Sequence, residues 1–146
     1  MPKAYSMTKK IFLADDDRDD WFIIEDAMKQ INAADTIEFF INGQQLIERL
    51  NQSHPSDSLP RLVVLDLNMP KLNGTETLAL IKNDPRFNQI PVIIYSTSIN
   101  FLEKQKCFDL GAQHYLTKPT SAAEGKNIAA LFTSLCEAVE QEGNSK

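Results

Sequence analysis

The chain is short of positive charge: 15 Lys and Arg are outnumbered by 20 Asp and Glu, for a formal net charge of −5. No broad basic field exists to release counterions from a phosphate backbone, so direct nucleic-acid binding is not expected. Cysteine is scarce as well. Cys107 and Cys136 form no Cys-x-x-Cys pair and no Cys/His ligand spacing, which excludes a redox dithiol and a zinc site. Both lie in apolar helical patterns and read as small core residues. Long apolar runs are missing too. Residues 1–9 carry basic charge without an apolar signal core, and no stretch approaches the roughly 18 apolar residues of a membrane span. A soluble cytoplasmic protein is expected, with no membrane partner. After about residue 140 nothing remains to build an output domain, so the expectation is a stand-alone domain acting through another protein.

What is present suits one compact unit. The chain has 146 residues, 42% of them hydrophobic, enough for a core without disulfides. Short, nearly continuous apolar runs alternate with longer segments of helical spacing, the pattern of five βα units on a parallel sheet. The strand-like runs are Ile11 to Ala14, Thr36 to Ile41, Leu62 to Leu65, Val92 to Tyr95 and His114 to Thr117. After the first run Ile24, Ala27, Met28 and Ile31 make the inner stripe of an amphipathic helix with an acidic start. Asn42-Gly43 reads as a turn before a short helix through Leu46, Ile47 and Leu50. A third helix, after Met69-Pro70, carries Leu78 and Ile81 and stops before Asp84-Pro85. The fourth bears Phe101, Leu102 and Phe108 and ends at Gly111; the last bears Ile128, Leu131, Phe132, Leu135 and Val139. Continuous rather than alternating apolarity in the first and third runs predicts helices on both faces, a three-layer α/β/α open sheet. Residues 9–140 form the domain, with residues 1–8 and 141–146 expected to be flexible ends.

In such sheets ligands bind beyond the carboxyl ends of the strands, where strand order reverses. The first run ends in Asp15-Asp16-Asp17, with Asp19 and Asp20 beyond; the third ends at Asp66, with Asn68 two residues later. Converging carboxylates repel one another, and a hard divalent cation such as Mg²⁺ resolves the conflict. The fourth run closes on Ser96-Thr97-Ser98 and the fifth on Lys118-Pro119. Cation, ammonium and hydroxyl can share the charge of a phosphoryl group in flight while a carboxylate attacks in line, which makes Asp66 the natural nucleophile.

These residues resemble the receiver domains of two-component response regulators. The resemblance rests on Phe12-Leu13-Ala14-Asp15-Asp16, on Val64-Leu65-Asp66-Leu67-Asn68-Met69-Pro70 with Gly74, on Ile94-Tyr95-Ser96-Thr97, and on Tyr115-Leu116-Thr117-Lys118-Pro119. It covers residues 9 to about 140 in strand order. It implies a flavodoxin-like fold with strand order 2-1-3-4-5, which alternation alone does not give. It implies that Asp66 takes a phosphoryl group from a sensor histidine kinase or histidine phosphotransfer protein. Asp16, Asp66 and the Asn68 backbone carbonyl would hold Mg²⁺ or Mn²⁺, and Asp15 would assist mostly through water. Lys118 would bind the phosphate, Ser96 would be the switch hydroxyl, with Thr97 beside it, and Tyr115 the aromatic that follows it inward. The fourth and fifth units would then change affinity for a downstream protein.

Other readings stand beside these. Asp17, Asp19 and Asp20 suit the positive end of a helix and are assigned to that role. Trp21 reads as a partly packed surface aromatic, and His54 and His114 as structural or solvated. Phe101, Leu102, Phe108 and the last helix are either core faces or a partner surface, including one for a homodimer. An enzyme of the haloacid-dehalogenase type, using Asp15 as nucleophile and Asp17 as acid, is the rival class; it lacks a second acidic pair. A binding module that is never phosphorylated is the third reading.

Overall fold

The structure is a computed structural model that describes residues 9–53, 59–98 and 100–144, as backbone only from residue 139. His54, the Val139 side chain, residues 1–8 and residues 145–146 lie outside that description.

The strands are β1 (Ile11–Ala14), β2 (Ile37–Phe40), β3 (Leu62–Leu65), β4 (Val92–Ser96) and β5 (His114–Thr117). The helices are α1 (Arg18–Gln30), α2 (Gly43–Ser53), α3 (Gly74–Lys82), α4 (Phe101–Asp109) and α5 (Ala122–Asn144). All strand pairs are parallel, in the order β2-β1-β3-β4-β5. That order agrees with the one the resemblance implies.

The three layers follow from the period of two in a strand. Phe12, Ala14, Val63, Leu65, Val92 and Ile94 face one core, with Leu46 and Leu50 of α2, Leu78 and Ile81 of α3, and Cys107 of α4. Ile11, Leu13, Leu62, Val64, Ile93 and Tyr95 face the other, with Ile24, Ala27 and Met28 of α1 and Ala129, Phe132 and Cys136 of α5. Helices cover both faces, so β1, β3 and β4 are buried throughout. Both cysteines are buried and free.

Two local readings change. Asn42 does not form a turn: its Oδ1 accepts from Gln45 N at 2.8 Å, so it caps α2, which opens at Gly43. The apolar residues of α4 are not a core face. Only Cys107 of that helix is buried, while Phe101 and Leu102 are 75% and 78% exposed. The backbone of α5 is helical as far as Asn144.

The reversal of strand order lies between β1 and β3, which start the two halves of the sheet. Ala14 pairs with Leu65, so Asp15 and Asp66 are the next residues on adjacent strands, and Asp66 N donates to Ala14 O at 3.0 Å. Ser96 pairs with Thr117, which sets Lys118 at the same rim.

Candidate functional site

Asp15 and Asp66 enter the rim as buried carboxylates because main-chain bonds carry the ladder one residue past the strands. Asp15 N donates to Phe40 O at 2.9 Å, while Asp15 Oδ1 accepts from Asp17 N at 2.9 Å. Trp21 stacks on Phe39 at 5.3 Å and donates its Nε1 to Asp15 O at 2.6 Å. The tryptophan is partly packed, as expected, and its indole N–H also braces the acidic strand end. Asp16 is exposed, yet one carboxylate oxygen from each of Asp15, Asp16 and Asp66 lies within 4.8 Å of the others.

The β3–α3 loop is held close to this cluster. Gly74 N donates to Leu67 O at 3.0 Å, and a Cβ on Gly74 would collide with Asp66 O and Leu67 Cα. Glycine is required there by the close approach of helix and loop. Asn73 completes a capping box with Glu76 at the start of α3. Asn68 is exposed in the loop between them.

Lys118 is buried at the centre of the charges. Its Nζ lies 2.7 Å from Asp20 Oδ2, 2.8 Å from Asp15 Oδ2 and 3.3 Å from Asp66 Oδ2. Burial alone would lower its pKa, but hydrogen bonds to Asp15 and Asp20 and the charges of Asp15 and Asp66 hold it above the ordinary lysine value. Burial pushes Asp15 up to about 7, against the lowering effect of Lys118, and burial likewise raises Asp66. One ammonium therefore does not neutralise the carboxylates around it.

That imbalance is the observation that a metal would answer. Asp15, Asp16 and Asp66 offer hard oxygen donors at one point, as Mg²⁺ or Mn²⁺ prefers.

On the β4 side Ser96 is buried, and its Oγ accepts from Ser98 N at 3.0 Å; Thr97 is exposed. Tyr115 is half-buried, packs against the core beneath α4, and donates its hydroxyl to Ser98 O at 2.8 Å. The two expected switch residues thus grip the same residue from its two sides.

Sequence reading missed Asp20, which was assigned with Asp17 and Asp19 to the helix start. Asp17 does cap α1, accepting from Asp19 N at 2.9 Å, and Asp19 is exposed. Asp20 lies in that first turn as well, and its side chain also turns inward to Lys118. The signal was its place three residues after the cap, where a side chain reaches back over the preceding turn.

Residues 11–130 match the family described as "Response regulator receiver domain". The chain belongs to that family. Among receiver proteins it is 32% identical to the response regulator Rcp1 of Synechocystis sp. over 126 residues, 85% of this chain and 82% of Rcp1. The crystal structure of the phosphorylated cyanobacterial phytochrome response regulator RcpA superposes with a TM-score of 0.74 at 35% identity, covering 83% of this chain and 88% of that one. The Mn²⁺-bound form of Rcp1 gives 0.68 at 28% identity, with the same shares of the two chains. As in other receivers, the acidic strand ends of this chain suggest a divalent-metal site. Among the described residues no helix is long and apolar enough to cross a membrane.

Proposed function

We propose that Asp66 accepts a phosphoryl group from a phosphohistidine donor and that the resulting aspartyl phosphate resets the surface formed by β4, α4, β5 and α5. The observation that carries this reading is the buried pairing of Asp66 with Lys118 beside the Asp15–Asp16 pair, at the sheet's reversal point. A carboxylate oxygen of Asp66 attacks phosphorus, the P–N bond to the donor imidazole breaks, and the imidazole leaves with its electron pair and takes up a proton. Asp16, Asp66 and the Asn68 carbonyl would hold Mg²⁺ or Mn²⁺, with Asp15 acting mostly through water; bound there, the cation supplies charge neutralisation to the transferring group. Lys118 stabilises a further phosphoryl oxygen, and Ser96 donates its hydroxyl proton to another.

The relay from charge to packing runs through Ser98. Drawing Ser96 Oγ toward the phosphoryl group pulls on the Ser98 N–H that it accepts, and the carbonyl of the same residue is what Tyr115 holds. Tyr115 then exchanges its outer hydrogen bond for the space vacated by Ser96, and the outline of β5 against α4 changes for a downstream protein.

Incubation with acetyl phosphate and Mg²⁺, followed by intact mass, tests the reading. A single phosphoryl adduct is expected in the wild type and in Ser96→Ala, none in Asp66→Asn, and none when Mg²⁺ is chelated. An adduct persisting in Asp66→Asn contradicts it.

A further inference from the structure

A lysine ammonium has three protons to donate. In this site Lys118 donates to Asp20 Oδ2 at 2.7 Å, its shortest contact, while Asp15 Oδ2 and Asp66 Oδ2 lie at ion-pair distances of 2.8 and 3.3 Å. An oxygen of an incoming phosphoryl group needs one of those protons. The Asp15 carboxylate is fully buried and cannot be released to water, whereas the Asp20 side chain is 24% exposed, so Asp20 is the partner that is released at least cost. A second observation lies on the same side of the sheet. Tyr95 is 1% exposed, its ring sits 5.7 Å from Lys118 Nζ, and its buried hydroxyl has no hydrogen-bond partner among the described residues. A buried hydroxyl without a partner is a standing cost to the fold. Lys118 Nζ, 5.7 Å from that ring, is itself 2.7 Å from Asp20 Oδ2, which brings the Asp20 carboxylate into the same neighbourhood.

We propose that Asp20 is the resting partner of Lys118, which the phosphoryl group must displace, and that the Tyr95 hydroxyl donates to the Asp20 carboxylate once the lysine has left it. Asp20 is a positioning residue that acts through Lys118, and together with Tyr95 it sets how readily the aspartyl phosphate forms and how long it lasts. The inference rests on the phosphoacceptor reading of Asp66.

The two residues pull in opposite directions. With Asp20→Asn the lysine is free of its strongest competitor, so acetyl phosphate with Mg²⁺ should phosphorylate Asp66 roughly three- to tenfold faster, and the phosphate should last longer by a similar factor. Asp19→Asn removes the same charge from an exposed neighbour and should change either rate by less than about twofold. Tyr95→Phe removes only the hydroxyl. It should leave the melting temperature of the unphosphorylated protein unchanged or raised, shorten the phosphate lifetime, and lose that effect in an Asp20→Asn background. Independently of turnover, the Lys118 ammonium resonance should shift in the wild type on adding beryllofluoride with Mg²⁺, and in Asp20→Asn should already be displaced beforehand. No adduct in the wild type overturns the reading of the site and this inference with it. A normal adduct with equal rates in Asp20→Asn, or an equal effect of Asp19→Asn, overturns the inference alone, and a Tyr95→Phe effect that persists in the double variant overturns the part given to the hydroxyl.

Discussion

Asp15 carries the clearest conflict in the molecule, because the strand ladder buries a carboxylate that water would otherwise stabilise. In the folded, metal-free protein its pKa rises from 3.8 to about 7, chiefly by burial. The unfolded chain has no such shift, so between those values the fold binds a proton that the unfolded chain lacks, and stability falls as pH rises through that window. Asp66 is raised in the same direction, while the raised Lys118 loses its contribution only at strongly alkaline pH. In EDTA, thermal denaturation should give a lower melting temperature at about pH 8 than at about pH 5.5. Adding Mg²⁺ should restore stability more at the higher pH, where no proton has to be displaced. A metal-free protein that becomes more stable across that interval contradicts the burial argument. Asp15, Asp16, Asp66, Ser96 and Lys118 could be singled out from the sequence because each lies at or just beyond the carboxyl end of a strand. Asp20 could not, because an acid in a first helical turn already has a sufficient reason to be there.

At the level of elements, the β3–α3 junction is where local sequence most constrains the site. Asn73 and Glu76 cap each other's backbone N–H groups, and removing one partner from such a box costs about 1 kcal/mol. Asn73→Ala should lower stability by about that amount in urea denaturation, without abolishing Mg²⁺ binding. Gly74→Ala should cost more, about 1–3 kcal/mol, because its Cβ would meet the backbone that carries Asp66. It should also weaken Mg²⁺ binding, and equal effects of the two variants would remove the case for close approach. The fourth helix makes the opposite point. Its apolar residues read from spacing as core or partner surface, and the fold leaves Phe101 and Leu102 outside. Phe101→Ser and Leu102→Ser should each change stability by no more than about 0.5 kcal/mol, as exposed positions do. A larger loss would mean that they are packed. Spacing alone could not decide this, since a helix on a sheet needs only one good contact, here Cys107, to mark its inner face.

Across the whole molecule, the alternation of apolar runs with helical spacing carried the layers but not the topology. Five parallel strands can be ordered in several ways under right-handed crossovers, and each buries the same residues. The order 2-1-3-4-5 came only with the resemblance, and the sheet bears it out. That order brings the carboxylates together, since it makes β1 and β3 neighbours and lets Lys118 of the β5 end reach across β4 to both. The contacts around the acidic cluster were the least legible part, because Trp21, Tyr95 and Asp20 meet their partners only once the chain has folded. If Asp66 is the phosphoacceptor we propose, covalent chemistry falls on one carboxylate of this cluster. Treatment with acetyl phosphate and Mg²⁺, reduction of any aspartyl phosphate with borohydride to homoserine, and peptide mapping locate that carboxylate directly. Homoserine is expected at position 66 alone; homoserine at position 15, or an unmodified Asp66 in a protein that has gained a phosphoryl group, would overturn the phosphoacceptor assignment.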